Sequence, residues 1–177
     1  MKAHILFVLP LFFLNAAQAA PNESVAQAYE KAANLNDASF VTEIVFNKNS
    51  SELSADGKSA LRDILKAAQE KGKIEDVKIL AWADKEYPNK SKMALNKDER
   101  KLADERALEI KGYVEDTHKG LSIDTHNMAE QPYTLQNLFK QGDRRVKKSL
   151  ETAGLSNPAK SGMPGKSGRA LVMIIVQ

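Results

Sequence analysis

Apolar residues recur along this chain in blocks that switch between strict alternation and helical spacing. "FVTEIVF", Phe40 to Phe46, alternates and is β-branched, which predicts a strand. "NKNSSEL" then supplies a polar connection. Ser54 is placed to cap a helix. Leu61, Ile64, Leu65 and Ala68 follow with the i, i+3, i+4, i+7 spacing of one buried face. Gly72 is the expected stop. "VKILAW", Val77 to Trp82, predicts the second strand, and residues 83–95 read as a long polar loop.

Asn96 with Glu99 three residues on is a capping signature. The helix it opens should run to about Asp116, with Ala103, Ala107, Ile110 and Val114 on its buried stripe. "LSIDTHNMAE" holds a candidate short strand. Beyond it, Leu135, Leu138, Phe139, Val146 and Leu150 lie at helical spacing, and Gly154 ends that stretch. "SNPAKSGMPGKSG" has loop composition. The closing "RALVMIIV" is apolar on both faces, which predicts a strand interior to the sheet.

Upstream of the first strand, "NESVAQAYEKAANL" reads as a short helix, with Ser24 and Gln27 in a capping-box pattern. The order β-α-β-α-(β)-α-β predicts an α/β fold. It should be an α+β two-layer sandwich with a mixed sheet, helices packed on one face and the last strand inserted between earlier ones.

The chain start carries a different pattern. Lys2 is followed by the apolar "ILFVLPLFFL", too short to span a bilayer as a helix, and by the small-x-small "AQA". Charge, apolar core and cleavage motif in that order predict a secretory signal peptide over 1–19. Residues 20–39 then form an N-terminal helical extension, and 40–177 one domain with an enlarged insertion at about 131–166. No later stretch is apolar enough for a membrane span.

Composition narrows the picture. At 177 residues, 42% of them hydrophobic, the chain suits one packed domain. Removing the leader takes Lys2 away, so the formal charge falls from +3 to +2, a mild excess and not a polybasic signal. An exported chain with no cysteine suits a bacterial periplasm and argues against a small disulfide-stapled scaffold. It also leaves no cysteine for a lipid anchor at the cleavage site.

Several stretches resemble the OmpA-like domain family. "VFNKNSSELSADGKSAL" resembles its opening strand, polar turn and first helix. "LAWAD" sits where that family has a strand followed by Gly-His-Thr-Asp. "LADERALEI" is similar to its Leu-Ser-x-x-Arg-Ala-x-x-Val helix, and "GRALVMIIV" falls where Asn-Arg-Arg precedes its last strand. The match covers roughly Phe40 to Glu115 and the final strand.

The resemblance implies non-covalent peptidoglycan binding in the periplasm of a Gram-negative envelope, through the diaminopimelate of the stem peptide. It places the family's Asp on Asp84 and its helix Arg on Arg106. The chain departs from the family at Ala81-Trp82-Ala83, where Gly-His-Thr is usual. It departs also at Glu99 for Asn, Ala103 for Ser and Ala170 for the second terminal Arg. A second reading follows from these departures: a degenerate OmpA-like domain serving as a protein-interaction adaptor in an envelope assembly.

Residue chemistry bears on both readings. Diaminopimelate presents an ammonium and a carboxylate on one carbon, so a receptor needs an anion and a cation a few ångströms apart. Asp84 can take the ammonium, and Arg106 can clamp the carboxylate through paired hydrogen bonds. Asp84 stands at the carboxyl end of a strand, a common place for ligand sites in α/β sheets. Arg106 precedes Ala107 of the buried stripe, so it should flank the core and not point into solvent. The plain alternative is that Asp84 and Arg106 simply pair with each other.

Trp82 suits core packing better than sugar stacking, Tyr87 could cover a bound peptide, and "DRRVKK", Asp143 to Lys148, reads as a solvated helix face. Nucleic acid is not an expected partner in that compartment. An enzyme is not expected either. The mature chain has only His118 and His126, and no HExxH, Gly-x-Ser-x-Gly or P-loop pattern occurs. No cofactor or metal is called for. Asp84 and Glu86 are two acids of one loop, whereas glycosidases need carboxylates facing each other across a bond at about 5–9.5 Å.

Overall fold

The computed structural model describes residues 23–85, 95–129, 141–153 and 168–177. Eight elements follow in the order α1 (Glu23–Leu35), β1 (Phe40–Val45), α2 (Ala55–Lys71), β2 (Ile74–Ala81), α3 (Lys97–Thr117), β3 (Ser122–Asn127), α4 (Gln141–Thr152) and β4 (Arg169–Val176). The leader 1–19, Glu86, Tyr87 and Leu135 to Phe139 lie outside the described residues.

Helix starts follow their caps. Ser54 Oγ accepts from Gly57 N at 3.1 Å at the head of α2, and Asn96 Oδ1 accepts from Glu99 N at 2.9 Å at the head of α3. Gly72 ends α2 for a steric reason. Its backbone is extended, not left-handed, and a Cβ there would stand 2.3 Å from the carbonyl oxygen of Gln177. Helix α1 is described from Glu23 to Leu35, which places Ser24 and Gln27 within it.

The four strands form one mixed sheet in the order β1-β4-β2-β3. β4 runs antiparallel to both β1 and β2, and β2 runs parallel to β3. The continuous apolar run therefore does lie inside the sheet. Ala170, Leu171, Val172, Met173 and Ile174 are all fully buried.

Alternation sorts the strand side chains between two cores. On one face Ile44, Val77, Ile79, Ala170, Val172 and Ile174 meet Leu61, Leu65 and Ala68 of α2 and Ala107, Ile110 and Val114 of α3. This sheet with its α2/α3 layer is the expected sandwich. Burying a leucine such as Leu61 or Leu65 contributes about 1.5–3 kcal/mol.

The opposite face is also covered. Leu80, Trp82, Leu171 and Met173 pack against Ala28, Tyr29, Ala32 and Ala33 of α1 and Val146 and Leu150 of α4. Helices on one face only is thus correct for α2 and α3, and is corrected for α1 and α4. A strand apolar on both sides needs cover on both sides, because either bare face would expose a wide apolar patch. Asn36, 1% exposed, ties the two outer helices by donating from Nδ2 to Ser149 Oγ at 2.6 Å.

Among the described residues no helix is long and apolar enough to cross a membrane.

Candidate functional site

β2 ends at Ala81, but its pairing with the chain entering β4 continues. Trp82 N donates to Arg169 O at 2.9 Å, and Gly168 N donates to Ala83 O at 2.7 Å. Gly168 O in turn accepts from Phe46 N at 2.7 Å. Gly168 thus pins the ends of β1 and β2 together. Its φ is +71°, a left-handed conformation that glycine adopts without a Cβ penalty. These bonds hold Asp84 at the rim of the sheet, at the carboxyl ends of β1 and β2.

Arg106 approaches from α3, among the buried Ala103, Ala107 and Ile110. Its side chain is 0% exposed, further inside than a place flanking the buried stripe implies. Nε donates to Ser50 O at 2.8 Å, and Nη1 donates to Trp82 O at 2.9 Å. Nη2 donates both to Asn47 O at 3.1 Å and to Asp84 Oδ1 at 2.6 Å. The guanidinium also stacks near the Phe46 ring, 5.1 Å from its centroid. An arginine has five N–H donors. Four are spent here on the β1–α2 loop and the end of β2.

Asp84 is held from two sides. Oδ1 takes the Arg106 bond, and Oδ2 accepts from Asn49 N at 2.6 Å. Asn49 has φ +56°, a left-handed conformation that asparagine tolerates better than most residues, and this turn aims its N–H at the carboxylate. Burial by itself would raise the Asp84 carboxyl. The hydrogen bonds from Arg106 and Asn49, with the charges of Arg106 and Lys48, outweigh burial and hold it below the usual carboxylate range. The side chain stays 13% exposed, so one edge of a firmly ionised carboxylate reaches solvent.

The structure therefore brings Asp84 and Arg106 together, and it pairs them with each other. The pair is not a surface one, because Arg106 is enclosed. Asp84 is the member with an open edge.

Four further contributors carry no strong signal in sequence: the carbonyls of Asn47 and Ser50, the N–H of Asn49 and the backbone of Gly168. The polar run "NKNSS" and the glycine before the last strand were the available hints. Glu99 holds the start of the loop after β2. Its carboxylate accepts from Lys85 N at 3.2 Å and lies 3.5 Å from Lys85 Nζ. Next to this cluster, Asn47, Glu52, Leu53, Ser54, Ala55 and Lys58 line an open depression of about 410 Å³.

No family model matches this chain, and no curated protein is similar to it.

The remaining candidates fall elsewhere. Trp82 is 1% exposed and packs in the second core. His118 follows α3, with Nδ1 3.0 Å from Thr117 Oγ1, and His126 is buried in β3. Neither stands in the Asp84 cluster. In the basic stretch of α4, Arg145 pairs with Asp37 at 2.9 Å in the open, while Val146 is buried against the sheet. Among the described residues no group of three His, Cys, Asp or Glu is placed to hold a metal ion.

Proposed function

We propose that this chain is a non-covalent peptidoglycan-binding module of the bacterial periplasm. Asp84 receives the ammonium of a diaminopimelate residue. Arg106 acts behind it, holding the carboxylate ionised and aimed outward. One observation carries the reading: a fixed, ionised carboxylate at the carboxyl end of β2 with an open edge. The OmpA-like order of the sequence motifs supports the ligand class, and the leader pattern of residues 1–19 supports the compartment. No bond is made or broken, so no acid–base pair is needed.

Co-sedimentation with purified peptidoglycan tests this. Wild-type protein pellets with the polymer, and Asp84→Asn, which keeps the shape and removes the charge, stays in the supernatant. Equal pelleting of the two would sink the assignment of Asp84.

A second reading is favoured by the enclosure of Arg106. A pair that satisfies itself is what a domain keeps when it has lost its ligand and serves as an adaptor in an envelope assembly. Wild-type protein that ignores peptidoglycan, yet co-purifies with one defined envelope protein, would favour it.

A further inference from the structure

A carbon that carries both an ammonium and a carboxylate cannot rest on Asp84 alone, which attracts the first and repels the second. Arg106 is not the missing cation. It is enclosed, and four of its five donors are spent inside the chain. Two lysines flank Asp84. Lys85 follows it directly but is drawn toward Glu99 through both its backbone N–H and its ammonium. Glu99 is itself only 14% exposed, so its end of the pair is fixed, while the Lys85 side chain is 69% exposed.

Lys48 is different. It immediately precedes Asn49, whose N–H lies 2.6 Å from Asp84 Oδ2, so its stem starts beside the carboxylate. It is exposed, and its charge is one of those that act on Asp84. Among the described residues, no carboxylate or carbonyl holds its ammonium. The same loop leads into the depression lined by Asn47, Glu52, Ser54 and Lys58, which leaves room for the rest of a peptide.

We propose that Lys48 is the carboxylate-binding residue of this site, so that the ligand is an amino-acid head group with its ammonium on Asp84 and its carboxylate on Lys48. Arg106 is then a positioning residue. The proposal rests on the peptidoglycan reading above. It assigns specificity to a loop lysine that the arginine-based expectation leaves without a role. A lysine is a compact charge on a flexible stem and not a planar fork. The exposed contact should therefore weaken as salt is added.

The test uses two tripeptides titrated into the full chain. One is L-Ala-γ-D-Glu-meso-diaminopimelate. The other carries L-Lys in the last place and so lacks the outer carboxylate. Wild type should prefer the first by about tenfold, the scale of one charge-assisted contact. Lys48→Ala should erase the preference by weakening only the diaminopimelate ligand, and Lys48→Arg should restore it. Asp84→Asn should weaken both ligands alike. Lys48 is exposed, so the two Lys48 variants should melt as wild type does. If wild type prefers diaminopimelate and Lys48→Ala keeps that preference, Lys48 is not the clamp. If wild type binds both tripeptides equally, the clamp is wrong while peptidoglycan binding survives. If wild type binds neither tripeptide nor the intact polymer, the functional reading falls and this inference with it.

Discussion

Two arginine–carboxylate pairs stand on opposite faces of the same sheet, and their distances barely differ. Arg106 meets Asp84 at 2.6 Å on the α2/α3 side, and Arg169 meets Glu43 at 2.8 Å on the α1 side. Enclosure separates them. The Arg106 side chain is 0% exposed and ties three backbone carbonyls as well as its carboxylate. The Arg169 side chain is 28% exposed, and its partner Glu43 also accepts from Tyr29 Oη at 2.5 Å. Burial, and then Glu43 beside it, pushes the Tyr29 hydroxyl well above its ordinary value, so it stays a donor at any relevant pH. Glu43 thus keeps a partner if Arg169 is lost. Among the described residues Asp84 would keep one N–H if Arg106 were lost, and the Ser50 and Trp82 carbonyls would lose their donor, while Asn47 O would keep Ser50 N at 3.1 Å. Contact distance is therefore a poor guide to which pair matters. The number of buried groups that depend on one side chain is the better guide.

The sharpest way to break the comparison is Arg106→Ala. It should cost about 3–5 kcal/mol, because it leaves a cavity, the Ser50 and Trp82 carbonyls without their donor and a carboxylate without its cation. Urea unfolding measures it, and a loss as small as an exposed pair's would overturn the contrast. Acid comes next. The Asp84 carboxyl is held down in the folded state, so it favours folding above its unfolded value of about 3.9. That contribution should fade as pH falls from there through the folded value. Asp84→Asn should therefore flatten the stability profile below about pH 4, followed by thermal melts across pH. An unchanged acid limb would show that Asp84 is not held as described.

Arg169→Met keeps the stem and removes the charge. Its expected cost is about 1–2 kcal/mol, softened by the Tyr29 bond and by solvent at Glu43. Matching losses at Arg106 and Arg169 in parallel unfolding curves would erase the distinction drawn between the two faces. The smallest effect belongs to a third pair. Arg145 and Asp37 lie 2.9 Å apart but are mostly exposed, so Arg145→Ala should stay within about 0.5 kcal/mol of wild type in the same assay.

The site itself was half legible. A carboxylate where an apolar strand stops, and an arginine beside a buried helical stripe, are visible as residue types at positions. The atoms that complete the cluster are not. Asn47, Ser50 and Gly168 act through backbone groups, and any residue type brings a carbonyl. Asn49 contributes through a left-handed turn, which its side chain permits but does not announce. That Arg106 would be fully enclosed depended on how closely the β1–α2 loop folds over it.

The same division runs through the fold. Local physics determined the elements. Ser54 and Asn96 marked the starts of α2 and α3, and the closing apolar run became β4 from Arg169 to Val176. These signals lie within a few residues of the structure they produce, so the sequence alone sufficed. The reading of β4 as interior stopped short of a second layer: helices were expected on one face, and α1 and α4 cover the other. That second layer needed tertiary structure. α1 and α4 are far apart in sequence, and the surface they share exists only after β4 has entered between β1 and β2. Likewise, only the assembled sheet decided that Arg106 turns inward to bind its own chain, leaving the open edge of the site to Asp84 and the neighbouring loop. Enclosure is a property of many distant residues packing at once, and no local pattern encodes it.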